Sequence, residues 1–330
     1  MIETVKYQNN MAKEWDAFID SAHNGTIFHK QKFLSYHIDR NFTDSSLLFK
    51  KRGKIIAVLP AAIEKRGNKK ILFSHPGASF GGLVYQKLSF IDCSSIIEII
   101  EDFCKKNNFN EIFIIQTPLV FNQHQNNEVV DYCLRKFQYD NTENYLSSVL
   151  LIQDSINNQL KEIARNKKRS MNYYNSLIKE NKIQFKWADN FQEFYPILIE
   201  NKKKHNAKPT HSLEELEKLK QLFPDDILQL MISSDQNPIG GMTVFKANKT
   251  SLILFYTMFD YSYNNIQPIT LLMHYILKWS KKHHIRLIDY GISHQPNQKD
   301  PLSPNISLIK FKEEFGCFSS IRNTYKKSFE

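Results

Sequence analysis

Ile71-Leu72-Phe73-Ser74-His75-Pro76-Gly77-Ala78-Ser79-Phe80-Gly81-Gly82-Leu83-Val84-Tyr85 is a short apolar strand that breaks into a glycine-dense loop and returns to apolar residues. Three of the chain's ten glycines fall in it. Gly77, Gly81 and Gly82 permit positive φ and close approach of a ligand, while Pro76 stiffens the entry and keeps His75 out of helical geometry. The loop lacks both the Gly-Lys-Ser/Thr of a phosphate loop and the spacing of a dinucleotide fingerprint. Taken alone it reads as a tight turn carrying an exposed histidine.

Working outward, residues 46–51, 54–64 and 70–73 are rich in strand formers and are separated by Arg52-Gly53 and Arg66-Gly67-Asn68, the pattern of an antiparallel meander. Residues 11–20 and 29–40 read as helices before it. After the loop, Asp92 is placed to cap an amphipathic helix carrying Ile96, Ile97, Ile100 and Phe103. Residues 111–116 then form an apolar strand, 128–138 a helix and 145–152 a strand, which completes one α/β unit.

From residue 155 to 180 the apolar positions Ile156, Leu160, Ile163, Met171, Tyr174 and Ile178 recur at helical spacing, with Lys167 the one interruption. Another face carries Lys161, Arg165, Lys168 and Asn172, with Arg169 beside them. Between residues 155 and 186 eight Lys/Arg face only Glu162 and Glu180, a local charge of +6. A solvated helix face and an anion-binding face are both compatible with that run.

The order of elements then repeats: a strand over 183–188, helices, a meander over 227–233, 239–247 and 251–259, a helix over 267–283, a strand over 285–290, a helix and a last strand. Repetition of order suggests a duplicated fold. We therefore expect an α/β protein with mixed sheets: an N-terminal domain over 1–154, a basic connecting helix over 155–180, and a C-terminal domain over 181–330, packed around a cleft.

Length and composition fit that organisation. At 330 residues the chain exceeds one average core. Cys93, Cys104, Cys133 and Cys317 show no metal or disulfide spacing, which reads as reduced thiols. No signal peptide or bilayer-spanning run is evident, so a cytoplasmic protein is expected. The net charge of +10 permits a polyanionic partner. His283 and His284 point to different helix faces and make a poor metal site.

The element order resembles the GNAT acyltransferase fold, in which a mixed sheet splays apart around an acyl carrier. Its doubling with a basic helix is similar to the FemABX-like peptidyl- and acyltransferases. The local matches are the His75 to Gly82 loop; Lys168-Arg169 with Asn172; Asp289-Tyr290-Gly291 ending a late strand; and Phe311-Lys312-Glu313-Glu314-Phe315-Gly316. Where ordinary GNAT enzymes carry a glycine-rich pyrophosphate signature, this chain has Tyr261-Ser-Tyr-Asn-Asn-Ile-Gln-Pro268; a helix starting near Gln267 still offers free N–H groups to phosphate.

The resemblance implies direct acyl transfer to an amine, from acetyl-CoA or another acyl-CoA, with aminoacyl-tRNA as the alternative donor and no metal. The acceptor would be an anionic nucleotide- or lipid-linked sugar or peptide of the cell envelope, which allows peripheral membrane contact. Such chemistry needs a base and donors for a developing oxyanion, but no covalent nucleophile. His75, which titrates near neutrality, and Asp289, at the end of a late strand, are the catalytic candidates. Ser79, Gly81, Gly82, Arg165, Lys168, Arg169, Tyr256 and Lys310 are the candidate substrate contacts, with His294 behind them. Each also has a structural reading: His75 as a turn residue, Asp289 as a cap or ion pair, and the basic side chains as solvated surface. The rival to an enzyme is a polyanion-binding protein that keeps the fold without catalysis.

Overall fold

Pro60 decides how the first meander is shared between sheets. It has no N–H to give to a ladder, and the expected strand over 54–64 is accordingly two strands, Lys54–Leu59 and Ala62–Arg66, in different sheets. This computed structural model describes the chain apart from residues 125, 181, 205, 296–299, 301 and 330, and apart from the side chains of Ile156, Asn157, Leu160 and Tyr174. The apolar stripe expected through Ile156, Leu160 and Tyr174 therefore lies outside the described side chains.

Two compact units make up the molecule. The first is built from Met1–Leu146 and Ser320–Glu330. One of its sheets is antiparallel, ordered Ile2–Lys6, Leu47–Lys51, Lys54–Leu59, Val84–Tyr85. In the other, Lys69–Ser74 lies parallel to Glu111–Ile115, which the C-terminal strand pairs antiparallel from Thr324 to Ser328. Parallel neighbours need a crossover, and helix Phe90–Lys106 lies in the chain between them, burying Cys93, Ile96, Ile97, Ile100 and Cys104 in the core of this unit. The cap of that helix is Ser89, whose hydroxyl accepts the N–H of Asp92; Asp92 sits in the first turn and pairs with Lys51 at 2.6 Å. The expected helix over 29–40 is only the 3₁₀ turn Ile27–His29 and the short helix Gln31–Leu34.

The second unit is built from Ser147–Gln295 and Pro304–Ser319. Ile183–Ala188, Ile227–Ser234, Asn237–Asn248 and Ser251–Phe259 form an antiparallel meander. Leu287–Ile292 follows helix Pro268–Lys282 and runs parallel to Ser251–Phe259. That pairing lasts only from Ser251↔Leu287 to Ile253↔Asp289. Beyond it the two strands part, while Leu287–Ile292 pairs antiparallel on its other side with Ser147–Leu151. The apolar face of helix Pro268–Lys282, with Leu271, Leu272, Met273 and Ile276, closes the core of this unit.

The single basic helix expected over 155–180 is broken into Ile156–Glu162 and Arg165–Lys179. Ile163 is extended and buried, and the N–H of Ala164 reaches Glu314 O at 2.8 Å. Neither glycine nor proline marks the break, because burial of Ile163 and one long-range hydrogen bond set it.

Candidate functional site

The glycine loop is an internally satisfied backbone turn. Ser74 Oγ donates to Pro60 O at 2.5 Å and accepts Gly82 N–H at 3.0 Å. Gly81 donates its N–H to Ile115 O at 2.8 Å, and its carbonyl accepts from Thr117 Oγ1 at 2.9 Å and His29 Nε2 at 3.1 Å. Gly77 and Gly82 adopt φ of +82° and +84°, whereas Gly81 does not need the left-handed region. Glycine at 81 is required by crowding: a Cβ there would stand 2.7 Å from His75 N. Gly81 and Gly82 are buried, and Ser79 is half-buried.

His75 is not exposed as the loop alone suggests; it is 2% exposed. Its Nδ1 lies 2.6 Å from Pro76 O. A carbonyl only accepts, so Nδ1 carries the proton and Nε2 the lone pair. Burial holds the imidazole down to about 4, with the Pro76 carbonyl opposing and nearby His37 assisting, so the ring is neutral at physiological pH. It lines a cleft of about 730 Å³ within the first unit, together with Asp16, Lys32, His37, Arg40 and Asp44. Arg40 Nη2 donates to His37 Nδ1 at 2.8 Å. The cleft was not legible in sequence, because its residues are scattered over an N-terminal stretch with no motif.

In the second unit, Asp289 is fully buried. Its Oδ1 accepts from Ser147 Oγ at 2.5 Å and from Gly291 N–H at 2.7 Å. Gly291 has φ of +78°, which explains the glycine after Asp289-Tyr290. Of the lysines in the terminal motif, Lys310 is exposed and Lys312 is buried. Lys312 Nζ donates to Gly291 O at 2.7 Å, Ser293 Oγ at 2.8 Å and Ile292 O at 3.2 Å. Asp289 and Lys312 thus hold the same strand end from two sides. Tyr256 is buried, and its hydroxyl accepts the N–H groups of Thr210 and His211 at 3.1 and 3.3 Å, which anchors that turn. His294 makes an isolated bridge with Pro304.

On helix Arg165–Lys179, Arg165 and Arg169 are exposed and Lys168 is half-buried. Lys167, the interruption of the apolar stripe, turns inward with its side chain 13% exposed, 3.2 Å from Glu314 and 4.6 Å above the Phe311 ring. Its position four residues from both Ile163 and Met171 was the available signal: a charge on a core-facing stripe. Lys167 lines a pocket of about 240 Å³ with Phe259, Gln267, Thr270 and Phe311. The pocket therefore opens where strand Ser251–Phe259 has parted from its parallel neighbour, at the N-terminus of helix Pro268–Lys282. Gln267 caps that helix with φ of +48° and no side-chain bond to its N–H groups, so the first turn presents donors and the positive end of the dipole. Among the described residues no three His, Cys, Asp or Glu side chains group to hold a metal ion, and no helix is long and apolar enough to cross a membrane.

These parted strands with a helix N-terminus between them define a GNAT-type architecture. Residues 164–299 match the acetyltransferase (GNAT) domain family. Over nearly its whole length the chain is similar in structure to FemX (TM-score 0.75, 11% identity, 99% of this chain and 97% of that one). It is also similar to the C-terminal domain of a candidate lysylphosphatidylglycerol synthetase from Agrobacterium fabrum (TM-score 0.60, 8% identity, 97% and 92%). A tandem GNAT protein of the clavulanic acid biosynthesis pathway matches as well (TM-score 0.55, 8% identity, 99% and 98%). None of the curated proteins matches the sequence. The chain thus has the tandem GNAT-like fold that the repeated element order implies.

Proposed function

We propose that the protein transfers an acyl or aminoacyl group, from acyl-CoA or aminoacyl-tRNA, to an amine of a cell-envelope precursor such as an amino sugar or a peptidoglycan peptide, in the cytoplasm. The observation that carries this reading is the pocket at the start of helix Pro268–Lys282, where strand pairing ends and Lys167 supplies a cation. A donor's phosphates would be held there by the first-turn N–H groups and by Lys167. Residues 164–299, which carry the GNAT match, contain this pocket apart from Phe311, and the names of the FemX and lysylphosphatidylglycerol synthetase neighbours support the envelope setting. Asp289 would act as a positioning residue, since its carboxylate already serves Ser147 and Gly291, and Lys312 would fix the same strand end. His75 would meet the acceptor in the first unit, with Ser79, Gly81 and Gly82 shaping its loop.

The test is to incubate the protein with acetyl-CoA or charged tRNA and a panel of amino sugars and stem peptides, reading release of free thiol or of uncharged tRNA. Turnover of either donor that depends on an amine supports the reading. If neither donor is consumed with any amine, the polyanion-binding alternative replaces it.

A further inference from the structure

Helix Phe90–Lys106 begins with two apolar side chains that the core does not take. Phe90 is 46% exposed and Ile91 74%. Tyr132, on helix Val129–Lys136, is 61% exposed and meets the Phe90 ring edge-on, with ring centroids 5.9 Å apart. The two helices touch beneath them, where Cys93 Sγ lies 3.8 Å from Val129 O. The three side chains therefore form one patch on the first unit rather than scattered exposures. Its rim is basic. The Lys51–Asp92 ion pair at 2.6 Å brings the turn between strands Leu47–Lys51 and Lys54–Leu59 beside the start of the helix. Arg52 and Lys54 are exposed on that turn, Lys87 is exposed three residues before Phe90, and Arg135 and Lys136 are exposed within one turn of Tyr132. Of the carboxylates at residues 87–92 and 128–136, Asp92 is taken by Lys51, Asp131 is buried against Tyr325 OH at 2.8 Å, and Glu128 is exposed. Lys87 also lines a cavity of about 380 Å³ with Tyr85, His124 and Asn126.

An apolar centre with a cationic rim is complementary to hydrocarbon beneath anionic headgroups. A second copy of this chain would bring the same cations against the rim, and the net charge of +10 opposes such pairing. Ile91 projects from the first turn of its helix instead of lining a groove, and a bilayer receives a projecting apolar side chain without a matching pocket. Aromatic rings with one wet edge sit well at the level of the headgroups. We propose that this face docks the protein peripherally on an anionic phospholipid bilayer, with Phe90, Ile91 and Tyr132 entering the boundary between headgroups and acyl chains and Arg52, Lys54 and Lys87 holding lipid phosphates. The cavity beside Lys87 gives one such headgroup a seat. This docking stands apart from the transfer reading, and its test uses neither donor nor amine.

The test is co-sedimentation of the full chain with vesicles of phosphatidylcholine alone, or of phosphatidylcholine and phosphatidylglycerol in equal parts. Binding is expected on the mixed vesicles and roughly tenfold more weakly on the neutral ones. Phe90→Ser combined with Ile91→Ser should weaken it roughly tenfold, and Lys87→Glu about fivefold. Lys106→Glu makes the same charge change at the other end of the helix, about 24 Å away, and should leave binding nearly unchanged. Absence of binding to the mixed vesicles, or unaltered binding by the Phe90→Ser, Ile91→Ser variant, would overturn the proposal. Equal losses in Lys87→Glu and Lys106→Glu would overturn it too, since net charge alone would then draw the protein to anionic lipid. Self-association that the Phe90→Ser, Ile91→Ser variant loses, without vesicle binding, would assign the face to a second copy instead. Should that variant fail to fold, Ile91→Trp decides: its fluorescence is expected to shift to the blue on mixed vesicles, and an unshifted emission would overturn the docking.

Discussion

His29 Nε2 lies 3.1 Å from the carbonyl oxygen of Gly81, and His29 Nδ1 lies 3.0 Å from the N–H of Thr26. A backbone N–H can only donate and a carbonyl can only accept. The ring is therefore the neutral tautomer with its proton on Nε2, and it ties the start of the chain to the glycine loop. Protonation of Nδ1 would set two donors against each other at Thr26. His29 is an N-terminal residue that sequence reasoning passed over.

Acid stability follows from this. Burial holds both His29 and His75 at about 4, against 6.5 for a free imidazole. These folded values are depressed, so the stabilisation is fully present above the unfolded value near 6.5 and is lost as pH falls through 4. The displacement corresponds to roughly 3 kcal/mol for each ring. Asp16 and Asp44, whose carboxyls burial pushes up, work in the opposite direction on acidification. The isolating measurement is the difference between the protein and His29→Gln in urea unfolding from pH 7 to 4. We expect the variant to have a shallower pH dependence, by close to one proton; parallel curves would mean that His29 is not held neutral.

The loop glycines should behave as structural residues first. A Cβ at Gly81 meets backbone atoms of Ser74 and His75 at 2.7 Å, and one at Gly82 collides with Gln116 Oε1 at a backbone of positive φ. Backbone cannot retreat as a flexible side chain can, so Gly81→Val should lose about 3 kcal/mol or more and largely fail to fold. From sequence alone one expects such variants to fold and lose only activity. Circular dichroism melting separates the two; a Gly81→Val protein that melts within a few degrees of the unaltered chain would return the loop to a purely ligand-facing role.

The fold was readable because element order survives where residue identity does not. Strand Ile183–Ala188 stands where the sequence pattern puts it, and helix Leu213–Leu222 begins at a capping box of Ser212 and Glu215 that the structure adds. The failures share one cause. The break at Ile163 and Ala164, the inward turn of Lys167 and the choice of Lys312 over Lys310 all depend on which long-range partner is present, and local pattern does not encode a partner. Pro60 is the exception: its missing N–H was visible, and it should have split the strand over 54–64.

Lys312 and Lys310 make a matched pair for the terminal motif. Each N–H of the buried Lys312 ammonium has an acceptor, on Gly291, Ile292 or Ser293. Lys312→Met would remove the donor from the buried Ser293 hydroxyl and from two carbonyls that water reaches more readily, and is expected to cost about 2 kcal/mol in urea unfolding. Lys310→Met, at an exposed position, should stay within about 0.5 kcal/mol. Comparable losses in the two would show that the burial difference has no energetic weight.

The basic helix offers the sharpest separation between a solvated charge and a working one. Arg165 and Arg169 are exposed, whereas Lys167 stands in the pocket between Glu314 and the Phe311 ring. If phosphates of the donor bind at the start of helix Pro268–Lys282, Lys167→Met removes the one lysine among the described residues that line that pocket, and donor binding should weaken roughly tenfold with a shallower dependence on salt. Glu314 would lose its charged partner in the same variant and keep the Asn166 amide at 3.0 Å, so Lys167→Met with Glu314→Gln is the companion: it restores the charge balance of the pair without restoring a phosphate ligand. Donor affinity should stay low in the double variant while stability recovers. Arg165→Glu and Arg169→Glu should change stability by less than about 0.5 kcal/mol, and through-space repulsion from solvent-exposed positions is screened within about 10 Å at 0.1 M salt. Calorimetric titration of the donor against the four variants at two salt concentrations reads all of this at once. Recovery of affinity in the Lys167→Met, Glu314→Gln protein would mean that Lys167 serves the fold rather than the donor, and losses at Arg165 or Arg169 equal to that at Lys167 would put the contact on the outer face of the helix.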